Sequence, residues 1–476
     1  MSKPVRIDPY RLHIERRGQM VTDATIFASE AIQLEIDAVG QLCDAASLPP
    51  VRKALATADI HVGFGVPIGA VLGMDDAIMP AAVGYDINCG MRLLQSPFSK
   101  GEIEIDKIAA SIAREIPLGE GRENLHLDKT GIEAVINKGI EAVPDLAKRS
   151  NHRAWDGFDA EQFADDVKCI EDNGHLPADP AAVPKMAFEK GANQLGTLGG
   201  GNHFIEIQYV QEIFDKALAG HFGLFQDQIV VMIHSGSRRF GYEIADYYMN
   251  VAAGRPENAE RRKMLSYLPV DDRAGRDYIA AMSAAANFAY VNRHIMALLV
   301  RRCFNWMFGP TPMKLVYDVT HNMAKLETHI GKSLWVHRKG ATRAFGPKQM
   351  VNTVFADTGQ PVITPGSMGT ASFLLVGTGN SEESLNSVNH GAGRVMSRAA
   401  ARGKSRRGRV THEARITDDQ FKRSMKGIKL IAGDKSKIKE EAPGAYKDIE
   451  EVVRVVVECG WAKAVARMVP LAVLKG

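Results

Sequence analysis

Residues 83–94 read VGYDINCGMRLL. Asp86 and Cys89 stand three apart in a turn bounded by Gly84 and Gly90, close enough to ligate one ion together. The turn lies within residues 58–94, where Gly, Val and Ile mixed with turn residues predict strands joined by tight loops. A cysteine between glycines is more often a small buried side chain than a ligand, so the choice depends on the rest of the chain.

Working outward, three segments share one design. Residues 204–210 (FIEIQYV), 228–233 (QIVVMI) and 314–319 (KLVYDV) read as strands, and each abuts a histidine: His203, His234 and His321. Strand ends are where a rigid scaffold gives way to loops that carry chemistry. Residues 23–55 have helical apolar spacing, helical and loop material fills 100–190, and helices are expected at 242–253, 277–302 and 448–466. There is no regular βαβ period, no internal repeat and no linker rich in Pro, Gly or Ser. The expectation is an α+β fold with residues 1–476 as a single large domain.

Composition narrows the class. The chain has 476 residues and 45% hydrophobic content, enough to bury a large core. No apolar run is long enough for a membrane span, and the opening residues lack the apolar centre of a secretory signal, so a cytoplasmic location is expected. Five scattered cysteines (Cys43, Cys89, Cys169, Cys303, Cys459) argue against a disulfide framework. Net charge is only +3, so bulk electrostatics predict no nucleic-acid binding. Residues 394–409, however, carry seven basic residues and no acidic one. Arg394, Arg398 and Arg402 recur every four residues, a stripe of guanidinium groups on a helix that suits phosphates or simply faces solvent.

Spacing alone leaves Asp86, Cys89, His203, His234 and His321 evenly balanced between a metal site and satisfied structural roles. No HExxH, paired CxxC or EF-hand loop occurs, and neither a P-loop nor a Rossmann fingerprint is present. Glycine-rich turns remain at 196–201, 234–239, 365–370 and 390–394, each able to cradle an anion or only to serve the backbone. In HGAGRVMSRAAAR (390–402), His390 is expected at the mouth of the arginine-bearing helix. There it has the chemistry of a phosphorus nucleophile, a general acid or base, or a metal ligand.

Taken in order, HVGFGVPIGAV (61–71), VGYDINCGMRLL (83–94), LGTLGGGNHFIE (195–206), HSGSRRFG (234–241), HNMAKLE (321–327), VHRKGATRAF (336–345), PGSMGTASF (365–373), HGAGRVMSR (390–398), EAPGAYKDI (441–449) and the pair 475–476 resemble the RtcB family of RNA-splicing and RNA-repair ligases over nearly the whole chain. The resemblance implies a fold particular to that family and two manganese ions bridged by Cys89. Asp86, His234 and His321 would complete one ion, and His203 would serve the other. It implies His390 as the residue that takes GMP from GTP, with nucleotide contacts at Asn202, Glu206, Ser367, Ser372, Gly391, Ala392, Gly393, Tyr446 and Lys475. Asp59 would be an activating carboxylate near the metals, and Asp59, Arg238, Arg394 and Arg398 are candidates for phosphate or RNA contacts.

The implied reaction joins 2′,3′-cyclic phosphate or 3′-phosphate RNA ends to 5′-hydroxyl ends. The alternative is a metal-dependent phosphodiesterase or phosphatase on RNA ends without joining. A monomer and an archease-type activator belong to the same expectation. Arg239-Phe240 and Val388-Asn389 depart from the family's commoner residues and leave the choice of RNA open.

Overall fold

The computed structural model describes residues 3–329, 331–406 and 409–476. Two large sheets organise them. The first has seven strands in the order Val5–Asp8, Arg11–Ile14, Ala24–Phe27, Val51–His61, Ile68–Met74, Lys332–Lys339, Asn322–His329. Only Ala24–Phe27 and Val51–His61 run parallel, and the helix Ile36–Ala45 makes the crossover that a parallel pair requires. The helical expectation for residues 23–55 is therefore corrected: only its middle is helix, because the β-branched and apolar ends enter the sheet.

The second sheet runs Lys314–Thr320, Gly90–Ser99, Gln228–Ser235, Phe204–Ile213, Ala462–Lys475, Ser372–Gly377, Pro361–Thr364, with Lys429–Ala432 also pairing with Ala462–Lys475. The three strands expected from sequence are all here. The helix expected at 448–466 is shorter: Ile449–Glu458 is helical, Gly460 at φ 73° ends it, and the chain turns into Ala462–Lys475. Pro470 hides this strand from a sequence reading, but it sits at a register shift, where a missing amide is tolerated.

Helix Arg273–Phe308 has 36 residues, about 54 Å of rise. Its middle is buried on nearly every side, and alanines at 284, 285, 286 and 289 let neighbours come close. Polar residues in that buried stretch are spent on other elements. Asn287 bonds to Leu176 and Ile136, and Asn292 accepts from the Gly196 and Thr197 amides. Arg293 binds Asp318 through Nε and Nη2 while donating to the Asn88 and Ser235 carbonyls. The helix thus ties together the loops that carry the candidate donors. No described helix is long and apolar enough to cross a membrane.

Candidate active site

The turn in 83–94 works as a donor platform for identifiable reasons. Gly84 has φ 97° and Asn88 φ 53°, the left-handed region that asparagine tolerates better than most residues. Asn88 is fully buried and fixed from three sides. Its amide donates to Asn322 O, its Nδ2 to Ala286 O, and its Oδ1 accepts from Arg293 Nη2. At Gly90 a Cβ would lie 2.4 Å from the Val319 carbonyl, so only glycine allows this approach. Held this way, Asp86 and Cys89 meet the histidines. His203 precedes Phe204–Ile213, His234 sits near the end of Gln228–Ser235, and His321 is the one residue between Lys314–Thr320 of one sheet and Asn322–His329 of the other.

Cys89 Sγ is 3.3 Å from His203 Nε2 and 3.2 Å from His234 Nε2, which is 3.2 Å from His321 Nε2. His203 Nε2 lies 2.7 Å from Asp86 Oδ2. The donors form two groups that share the thiol: Cys89, His234 and His321, and Asp86, Cys89 and His203. The expected placing of Asp86 with His234 and His321 is corrected, since its carboxylate reaches only the His203 group.

The donor set fits divalent ions. Ligands about 2.1–2.3 Å from a metal stand roughly 3.1–3.7 Å from each other, close to the spacing between these atoms. Burial keeps His234 and His321 well below the usual imidazole range, hence neutral and able to ligate. Burial and the nearby Asp86 push the Cys89 thiol well up, and a coordinated cation reverses that. Asp86 Oδ1 is buried with no protein partner.

His390 follows the short strand Ser387–Asn389, with its ring centroid 5.0 Å from that of His321. Its Nδ1 is 2.6 Å from Asp59 Oδ2, which also accepts from the His390 amide at 3.1 Å, while Thr57 donates to Oδ1. Burial works to raise Asp59, but His390 and Thr57 outweigh it and hold the carboxyl below its ordinary value. An ionised carboxylate only accepts, so Nδ1 carries the proton and the lone pair of the neutral ring is on Nε2. Asp59 therefore positions His390 and stands outside both donor groups. Lys447 anchors the Asp59 strand, Val51–His61, by donating to the Ala58 and Ile60 carbonyls. Gly393, at φ 71°, admits it, because a Cβ there would meet Asp59 O at 2.2 Å.

A cleft of about 450 Å³ joins the two groups. Asn202, Ser367, Gly391, Ala392, Gly393, Tyr446 and Lys475, which the resemblance implies as nucleotide contacts, line it. Glu206 and Ser372 do not; they lie behind it, both accepting from Gln208 Nε2. Burial pushes Glu206 up to about 8 and Lys475 down to about 8.

The arginine stripe is corrected. Only Arg398–Arg402 is helical, His390 is not at its mouth, and Arg394 precedes it. Arg394 and Arg398 line the cleft with Glu441 bonded to both, and Arg402 pairs with Glu440. Arg407 lies outside the described residues, and the side chains of Lys404, Arg406 and Arg409 are likewise outside them. Arg238 does not line the cleft; at φ 56° it is tied to Thr197 Oγ1 and Gly119 O beside His203.

Sequence reasoning missed His61 and Lys339, both on the cleft. His61 Nδ1 donates to Asp59 O, and burial pulls the ring down to about 3. Lys339 donates to the Phe64 and Val66 carbonyls, and burial lowers it to about 7.

Two sheets meeting at a cysteine-bridged donor pair, with a carboxylate-held histidine alongside, define a site suited to metal-assisted phosphoryl chemistry. The family model described as tRNA-splicing ligase RtcB matches residues 41–476. The tRNA-splicing ligase RtcB of Archaeoglobus fulgidus is 40% identical, covering 93% of this chain and 92% of its own. That of Methanococcus maripaludis is 37% identical over 98% of both. An RNA-splicing ligase RtcB homolog of Entamoeba histolytica is 38% identical over 92% of this chain and 83% of its own. The chain belongs to the RtcB family.

Proposed function

We propose that the protein, acting as one catalytic domain, is a GTP- and manganese-dependent RNA ligase. It joins 2′,3′-cyclic phosphate or 3′-phosphate ends to 5′-hydroxyl ends in tRNA splicing or RNA repair. The observation that carries this reading is His390, with Nδ1 held by Asp59 and its ring one ring's width from the donor cluster.

His390 Nε2 attacks the α-phosphorus of GTP and pyrophosphate leaves. Water adds to the phosphorus of a 2′,3′-cyclic end and the P–O2′ bond breaks, leaving a 3′-phosphate and a 2′-hydroxyl; the RNA 3′-phosphate oxygen then displaces the imidazole, giving an RNA end capped through a diphosphate to guanosine. The 5′-hydroxyl oxygen attacks the RNA-side phosphorus, GMP leaves, and the hydroxyl proton is lost. Asp59 keeps the nitrogen that does not react protonated and stabilises the ring as it gains positive charge. Asn202, Ser367, Gly391 to Gly393, Tyr446 and Lys475 form the nucleotide wall. Cys89, His234 and His321 would hold one manganese ion and Asp86, Cys89 and His203 another; bound there, the ions supply positive charge to phosphate oxygens and acidify a hydroxyl or water. A cytoplasmic monomer, aided by an archease-type activator, accompanies this reading.

Incubation with α-labelled GTP and Mn²⁺ should leave an acid-labile, alkali-stable label on the wild type and none on His390→Ala. Joining of RNA ends by wild-type protein that takes up no label would overturn the histidine route.

A further inference from the structure

Beyond the reacting groups, three aromatic rings run from the cleft to the outer surface. Phe64 and Tyr85 line the cleft, with ring centroids 5.6 Å apart. Tyr85 stacks on Tyr242 at 4.7 Å and 18° between planes, and the Arg239 guanidinium lies 4.5 Å from the Tyr242 centroid. Glu243, four residues on in the same helix, holds that guanidinium. The ends of the row are open: Phe64 is 54% exposed and Tyr242 37%. Leaving a phenylalanine more than half in water beside a polar cleft gains nothing for folding.

A second observation concerns charge. The run Arg261-Arg262-Lys263 leads directly into Met264, which packs against Gly65, where a Cβ would lie 2.4 Å from Met264 Cβ. The basic run therefore adjoins the Phe64 loop. Arg262 has 85% of its side chain exposed and its nearest carboxylate, on Asp44, is 3.8 Å away; Lys263 has only Asp246, at 3.9 Å. These cations are loosely paired, unlike Arg394 and Arg398 within the cleft.

We propose that Phe64, backed by Tyr85 and Tyr242, is a stacking platform for an unpaired base of RNA next to the reacting end, and that Arg261, Arg262 and Lys263 follow its phosphates. A flat apolar face continuous with the cleft and flanked by loosely paired cations matches single-stranded nucleic acid, whose bases all offer a π-face and whose backbone is anionic. Tyr85 and Tyr242 make the platform rigid, so little side-chain freedom is lost on stacking. The assignment deepens the ligase reading and rests on it.

The test measures binding and joining of short 5′-hydroxyl and 3′-phosphate RNAs in which single positions near the end are made abasic. At one position, removing the base should weaken binding to the wild type about tenfold, the size of one base–aromatic stack. The same removal should cost Phe64→Ala almost nothing, while Phe64→Trp, which restores a ring, should regain the dependence. Changing Arg261, Arg262 and Lys263 to glutamine should reduce the slope of log affinity against log salt by up to about two. Equal cost of base removal in wild type and Phe64→Ala at every position, with joining intact, overturns the platform and leaves the ligase reading standing. Wild-type protein that joins no RNA overturns both. A fall in sedimentation mass in Phe64→Ala with unchanged base dependence would assign the face to a second copy of the chain and overturn the RNA assignment.

Discussion

In the donor cluster, lone-pair atoms face one another, Cys89 Sγ standing 3.3 and 3.2 Å from the Nε2 atoms of His203 and His234 and His234 Nε2 standing 3.2 Å from His321 Nε2, and Asp86 Oδ1 is buried without a protein partner, whereas at His390, a ring's width away, Nδ1, the amide and both Asp59 oxygens are all bonded. The first region concentrates three imidazoles, a thiol and a carboxylate whose mutual contacts do not satisfy them. The second is complete within the polypeptide. Charge from outside the chain is needed where lone pairs converge, and preorganisation is supplied where one nitrogen must point one way.

Four changes test that contrast. Cys89→Ala removes the atom common to both donor groups. Metal analysis should find neither ion, and joining should fall by about 10³-fold or more, while unaltered metal content would break the comparison at its base. Asp59→Asn should slow label transfer to His390 about 10²–10⁴-fold through loss of the tautomer, with bound metal unchanged; loss of metal as well would mean the two regions are not separate. Arg293→Met leaves Asp318 buried beside Arg92 alone and releases Asn88, so denaturant unfolding should register about 3–5 kcal/mol of lost stability.

The smallest effect concerns the basic wall. Burial works to raise Glu441, yet Lys475, Arg398 and Arg394 outweigh it and hold the carboxyl at about 2. A depressed carboxylate stabilises the fold above its unfolded value near 4.5 and loses that contribution as pH falls through 2. Melting curves over that window should show up to about 3 kcal/mol of acid sensitivity, and Glu441→Gln should flatten it.

What could be read in advance followed local chemistry. Strands of β-branched residues ending in histidine, and a turn bounded by glycines, carry their own signals, so Asp86, Cys89, His203, His234 and His321 stood out as candidates, and the family resemblance, not spacing, turned them into an expected ligand set. Their division into two groups was not, because it depends on which strand ends meet. Asp59 sits in a strand of the other sheet, and only the packing of Gly393 against it brings it to His390. The arginine stripe failed for the opposite reason: its period was real, but Gly403 ends the helix after one turn and Glu440 and Glu441, distant in sequence, take up the charge.

Strand Ala462–Lys475 lies between Phe204–Ile213 and Ser372–Gly377, and it pairs with both. As the polypeptide is synthesised, those two strands emerge long before the one that joins them. Each presents an open hydrogen-bonding edge to the cell in the meantime, the kind of edge that recruits other chains. The sheet therefore closes late, and the cleft acquires Lys475 only then. A nascent chain can hold most of the donors while still lacking a finished wall, which places the greatest exposure to misassembly in the interval before residues 462–475 appear.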